Sequence, residues 1–184
     1  MRRLAVALVH YPVLDRQGAI VTTAITNLDL HDIARSAHTY GLSDFFVIHP
    51  VAAQRDLAER VREHWTAGSG ARRIPDRTPA MRGVTVVETL DDSVRALGSN
   101  VELWTTSAQP RERSLSHADA RARLAGEGAP VMLVLGTGWG LAEAVCARAD
   151  AHLDPIHSLR PDGYNHLSVR AAAAILFDRL CGAR

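Results

Sequence analysis

Val131–Leu141 reads VMLVLGTGWGL, and this stretch decides the fold. Its five leading apolar residues, Val131–Leu135, suit a strand buried on both faces and are too few for a core helix. Three glycines at alternate positions follow, Gly136, Gly138 and Gly140, where a backbone turns sharply or lets a ligand approach closely. Leu141–Ala149 then reads as a helix. Strand, glycine turn and helix in that order place a candidate site at the carboxyl end of a mostly parallel sheet. The third glycine falls one position early for the dinucleotide fingerprint, and no GK[ST] follows for a phosphate loop. A tight turn without a ligand is the other reading of this segment.

Working outward, apolar runs alternate with amphipathic ones, the pattern of a sheet with helices on both faces. Strands are expected at Leu4–Val9, Asp44–His49, Val84–Glu88 and Val101–Thr105. Helices are expected at Asp29–Tyr40, capped by Asn27 or Asp29 and stopped by Gly41, and at Gln54–Thr66, where Leu57, Val61 and Trp65 share a face. Leu90–Leu97, Ser116–Ala125 and Asn165–Leu180 complete the helices, the last capped by Asn165 or Ser168. Gly68–Gly83 departs from the pattern: with glycines, prolines and Arg72, Arg73, Arg77 and Arg82, it reads as a long basic loop. There is no internal repeat, and 184 residues fit one domain, 1–184.

Composition removes several classes. The hydrophobic fraction of 47% and charged fraction of 22% are those of a globular chain, not a disordered or fibrous one. The net charge of +1 gives no global nucleic-acid signature, so a basic face must be local. Every Lys/Arg position is arginine, which suits bidentate phosphate contacts. Cys146 and Cys181 match no metal-ligand or redox spacing, so no metal is expected. The opening MRRLAVALVHYP is too short and lacks a cleavage site for a signal peptide, and no run reaches membrane-spanning length. A cytoplasmic protein without a membrane partner is expected.

Two further segments matter. Asn27–Leu42 (NLDLHDIARSAHTYGL) carries Arg35 beside Ile33, Ala34 and Ala37; such an arginine either snorkels to water or handles phosphate or developing charge. From Asp154, DPIHSLRPDGYNHLSVRAAAAILFDRL runs a polar loop into a helix with four small residues, Ala171–Ala174, able to pack closely against another helix or the sheet.

Taken together, the three segments resemble the three motifs of the SPOUT (α/β-knot) RNA methyltransferases. Asn27 with Arg35-Ser36-Ala37 is similar to the first, GTGWGL to the second, and Tyr164-Asn165-His166-Leu167-Ser168-Val169 to the third. The likeness spans nearly the whole chain and looks closest to a small bacterial single-domain group sharing VHYPV, TTAITNLDLHDIARSA and YNHLSVR. It departs at two places: Asn165-His-Leu-Ser168 stands where the ribose-methylating branch has Asn-x-Ser, and Trp139 where an acidic residue is frequent. Both bear on the target atom.

The resemblance implies an α/β fold with a C-terminal trefoil knot, an exception to the rule against knots. It implies S-adenosylmethionine as methyl donor, leaving as S-adenosylhomocysteine, an RNA substrate (tRNA first) and a homodimer sharing its active sites. Carried over by position, the cofactor loops are Thr105, Thr106 and Ser107; Leu135, Gly136, Thr137, Gly138, Gly140 and Leu141; and Ile156, Leu159, Tyr164, Asn165 and Leu167. Adenine is expected between Leu135, Ile156, Leu159 and Leu167, with the glycines leaving room for ribose and methionine. Arg35 is the expected catalytic residue, stabilising a ribose 2′-alkoxide, with Asn165 and Ser168 orienting the hydroxyl and Asn27 supporting the loop. Arg72, Arg73, Arg77 and Arg82 are expected to grip RNA. The alternatives are methylation of a base nitrogen, with Asp32 or Asp154 as the nearby acid, a catalytically silent knotted RNA-binding protein, and an unknotted nucleotide-binding protein.

Overall fold

The computed structural model describes residues 2–98 and 100–183. In chain order its elements are β1 (Leu4–Val9), the short β2 (Val13–Leu14) and β3 (Ile20–Val21), α1 (Asn27–Thr39), β4 (Phe45–Ile48), α2 (Ala52–Thr66), α3 (Ser69–Arg73), a 3-10 turn (Pro75–Arg77), α4 (Thr78–Arg82), β5 (Val84–Val87), α5 (Leu90–Leu97), β6 (Glu102–Thr105), α6 (His117–Ala125), β7 (Val131–Gly136), α7 (Glu143–Cys146), β8 (Ala151–His152) and α8 (Val169–Cys181). Six strands form one parallel sheet, ordered β5-β4-β1-β7-β6-β8. β1 and β7 lie at its centre, which is why their residues are apolar without alternation: both faces are covered.

The two coverings are distinct cores. On one face α1, α6 and α8 set Leu30, Ile33, Leu124, Leu176 and Phe177 against Leu4, Val6, Leu8, Leu133 and Leu135. On the other, α5 and α7 set Leu90, Leu97, Val145 and Cys146 against Ala5, Ala7, Val9, Met132 and Val134. Each large apolar side chain so buried contributes roughly 1.5–3 kcal/mol. Small β1 residues facing the second core match its shorter helices.

Several expectations are corrected. Thr26, not Asn27 or Asp29, caps α1: its Oγ1 accepts the Asp29 N–H at 3.1 Å and donates to Asp29 Oδ2 at 2.6 Å. The carboxylate thereby orients the hydroxyl that caps the helix. Gly68–Gly83 is not a loop; two short helices there bury Met81 and Ala80, and Thr78 Oγ1 donates to the Trp65 carbonyl at 2.9 Å. On α2 the buried residue is Ala58, while Leu57 faces solvent. The helix after the glycine turn is a single turn, and α8 starts at Val169, leaving residues 165–168 outside the helix. The β2–β3 hairpin and β8, each only two residues per strand, are too short for a sequence pattern to mark.

Candidate active site

At the carboxyl ends of β6 and β7 three chain segments enclose a cavity of about 680 Å³. Thr106–Gln109 follow β6, Gly136–Gly140 follow β7, and the third segment lies between Asp154 and Ser168 ahead of α8. Hydrogen bonding between β6 and β7 puts the first two side by side. The third is held in shape by Asn165, whose Nδ2 donates to the Ile156 carbonyl at 2.8 Å. Ser168 then caps α8, its Oγ accepting the Ala171 N–H at 3.3 Å.

The glycine turn is braced from behind. Trp139 N–H donates to the Leu14 carbonyl and Leu14 N–H to the Gly140 carbonyl, both at 2.9 Å, so the hairpin pins the turn. Two glycines serve this packing. A Cβ on Gly136 would come within 2.8 Å of the Leu141 nitrogen, and one on Gly138, whose φ is +60°, within 2.8 Å of the Leu14 carbonyl oxygen. Gly138 is thus required by the hairpin contact rather than by room for a ligand.

A buried chain supports the same turn. His10 Nδ1 lies 3.0 Å from Thr23 Oγ1, which bonds the Thr137 hydroxyl, which donates to the Val9 carbonyl at 3.2 Å. His49 takes the Val51 N–H on Nδ1, so its Nε2–H donates to the Thr23 carbonyl at 3.0 Å. Burial, with His49 next to it, lowers the His10 pKa to about 4. The Thr137 hydroxyl donates to Val9 and so accepts from Thr23, which leaves Thr23 Oγ1 to accept the proton on His10 Nδ1 of a neutral ring.

Of the residues expected at the cofactor, Thr106, Ser107, Leu135, Gly136, Thr137, Gly138, Gly140, Ile156, Asn165 and Leu167 line the cavity. Four do not line it. Thr105 is buried and bonds His152 Nδ1; Leu141 packs under Gly136; Leu159 is fully exposed; and Tyr164 stands at the rim against His166. Ser168 lines both this cavity and an adjoining groove of about 530 Å³ between α1 and α8. Arg35 is in the groove with Asp32, and Asn27 is exposed on the first turn of α1 and lines neither.

Sequence reasoning missed the residue at the junction. Arg170 also lines both spaces, its Nη1 3.3 Å from Asp29 Oδ1 on the cavity side and its Nε 3.4 Å from Asp32 Oδ2 on the groove side. Asp29 is buried in the cavity wall at 7% exposure. Asp154 also lines the cavity and accepts the Ser114 hydroxyl. The signal for Asp29 lay in Thr26-x-x-Asp29, where an acid in a first turn is ordinarily only a cap.

Arg72 and Arg73 are exposed on α3 and Arg82 at the end of α4 just ahead of β5, with β4 and β1 between that strand and β7. Arg77 differs, its guanidinium lying 4.7 Å from the Trp65 ring centre. Among the described residues no helix is long and apolar enough to cross a membrane.

The cavity fits a nucleoside-sized cofactor. Its walls combine small residues such as Ala24, Ala108 and Gly140 with the apolar Leu135, Ile156, Leu167 and Leu176 and with polar groups such as Thr106, Ser107 and Asn165. A parallel sheet with such a cavity between its carboxyl-end loops and the entry to its last helix has the architecture of SPOUT methyltransferases. Consistent with this, the SpoU methyltransferase AviRb of Streptomyces viridochromogenes superposes with a TM-score of 0.58 at 16% identity, over 97% of this chain and 58% of that one. A second crystal structure of AviRb contains AdoMet. The profile of the SAM-dependent RNA methyltransferase family matches residues 3–182, and the chain belongs to that family.

Two relatives bracket the comparison. A tRNA (guanine-N(1)-)-methyltransferase of Nitratidesulfovibrio vulgaris is 46% identical over 98% of this chain, which spans 42% of that protein. An uncharacterized protein of Aquifex aeolicus is 32% identical over 95% of this chain and 86% of its own length. The chain thus spans less than half of the relative with a named activity.

Proposed function

We propose that the chain methylates a ring nitrogen of a tRNA nucleotide, with the cavity holding the cofactor and the α1–α8 groove admitting the acceptor. The observation that carries this is the wall shared by the two spaces, formed by Arg170 and Ser168, with Asp29 on its cavity side 3.3 Å from Arg170. When bound, S-adenosylmethionine supplies an electrophilic methyl group on a sulfonium. A purine ring N–H must lose its proton to attack that carbon, and a carboxylate within reach takes it. Asp29 is the cavity carboxylate next to the junction, and Arg170 beside it holds the negative charge left on the base. Leu135, Ile156 and Leu167 enclose the adenine and exclude water, while Asn165 fixes the loop that carries them. This departs from the expected ribose acceptor and its reliance on Arg35. The name of the Nitratidesulfovibrio relative supports the change.

The protein works in the cytoplasm as a homodimer through α1 and α8, so that Arg35 of one subunit reaches acceptor RNA at the other. Ala171 and Ala174 on the groove floor leave room for that approach. The trefoil threading of the C-terminal segment belongs to the same reading. Methyl-labelled cofactor and tRNA from a deletion strain, digested to nucleosides and analysed by mass spectrometry, are expected to give a base-methylated product. A 2′-O-methylnucleoside would return the reaction to the ribose, and no label at all would favour a silent RNA-binding protein. Sedimentation showing a stable monomer at micromolar concentration would remove the shared site.

A further inference from the structure

The mouth of the cavity carries aromatic rings that the cofactor site does not explain. Trp139 projects from the tip of the glycine turn and is 55% exposed, although its backbone is pinned to Leu14. The His166 ring meets it edge-on with centroids 5.4 Å apart, and Tyr164, also exposed, lies 5.3 Å beyond His166. The Arg16 guanidinium, from the hairpin tip, stands 6.0 Å from the Trp139 ring centre. Three separate segments converge on this rim. Leaving a tryptophan half in water forgoes the burial that large aromatics normally obtain.

We propose that Trp139, with His166 and Tyr164, is a stacking platform for an unstacked nucleobase of the substrate RNA. Single-stranded RNA is held where aromatic faces take base faces and cations follow the backbone. The rim supplies both: an indole anchored by main-chain hydrogen bonds, and an exposed guanidinium beside it for an adjoining phosphate. Trp139 also lines the cavity, so a base on its ring is delivered to the opening above the methyl donor. A second copy of the chain would match an apolar patch, but the arginine at the edge of this one favours a polyanion. Trp139 is therefore a recognition residue, acting on the RNA and not on the cofactor.

The inference rests on RNA being the substrate, and its test needs no turnover, so it stands apart from the choice of acceptor atom. Protein saturated with S-adenosylhomocysteine is titrated with a short, mixed-sequence single-stranded oligoribonucleotide while tryptophan emission is followed. Trp104 is fully buried and Trp65 is half-buried under Arg77, so quenching should come from Trp139. Trp139→Phe should lose most of the quench yet bind the oligonucleotide within about threefold of wild type, because a ring remains. Trp139→Ala should bind about 5- to 150-fold more weakly, the span of one stacked base. Calorimetry should show S-adenosylhomocysteine affinity falling far less than RNA affinity in Trp139→Ala. Unaltered RNA affinity in Trp139→Ala, or a parallel loss of cofactor affinity, would overturn the assignment. So would dissociation of a wild-type dimer by Trp139→Ala, which would give the rim to a second copy.

Discussion

Arg170 Nη1 lies 3.3 Å from Asp29 Oδ1, tying the first turn of α8 to the first turn of α1. The Asp29 side chain is 10% exposed and that of Arg170 36%, so the pair straddles the edge of the interior. Removing the guanidinium leaves Asp29 with the Thr26 hydroxyl and its cap, which the helix retains.

Arg170→Ala should therefore keep the fold and lose methyl transfer by about 10²–10³-fold, the usual loss for a group facing developing charge. Cofactor affinity should change by less than about tenfold, or roughly 1.4 kcal/mol. Single-turnover transfer of labelled methyl, with calorimetry of cofactor binding, checks both. Near-normal turnover would remove Arg170 from the chemistry and leave Arg35 as the better candidate.

Gly138→Val should destabilise the protein before it touches the cofactor. The left-handed φ of +60° alone costs a β-branched residue about 1–3 kcal/mol. The added Cβ also meets the Leu14 carbonyl oxygen at 2.8 Å, so the hairpin must move. Thermal unfolding should drop by several degrees, with cofactor affinity falling only as the turn loosens. An unchanged midpoint with abolished cofactor binding would mean that the glycine makes room for the ligand after all.

The central strands were legible because a doubly buried strand needs an unbroken apolar run, and 4–9 and 131–135 have one. The ends of α1 and α8 were less so, since Thr26, Asn27, Asp29, Asn165 and Ser168 all suit a cap and only the fold selects two. Residues 68–83 read as a loop because glycine and proline dominate them, yet tertiary packing on Trp65 and the burial of Met81 outweigh propensity. The glycine turn was found as a cavity wall from its residue types, and the Asn165 loop only through the resemblance to the third SPOUT motif. Asp29–Arg170 was invisible because its partners lie 141 positions apart and nothing in either segment's pattern pairs them.

Acid should destabilise the fold through His10. Its folded pKa is about 4, below the ordinary 6.5, so between these values the unfolded chain binds the extra proton. Stability is then full above pH 6.5 and falls as pH drops toward 4, by about 3 kcal/mol at 1.36 kcal/mol per pH unit. The His49 pKa is lowered in the same sense by burial and adds to the slope. Denaturant titrations at a series of pH values should show this loss, and His10→Asn should flatten it. An equal slope in the variant would move the effect to His49 or the other half-buried histidines.

The arginines of residues 68–83 should separate into two behaviours. Arg77 covers the Trp65 ring at 4.7 Å, so Arg77→Ala should cost about 0.5–1 kcal/mol of stability by removing the cation from the ring face. Arg72 and Arg73 are exposed and free to meet phosphate. If they grip RNA, the double variant Arg72→Ala/Arg73→Ala should keep its melting temperature but bind tRNA more weakly. The slope of log affinity against log salt should flatten by about 0.7–0.9 for each phosphate no longer neutralised, depending on whether single or double strands are met. Filter binding across a salt series reads that slope directly. Both lie on α3 and line neither the cavity nor the groove, so catalysis at saturating RNA should be untouched. A drop in saturated turnover with an unaltered salt slope would show that these side chains support the fold of α3 rather than the substrate.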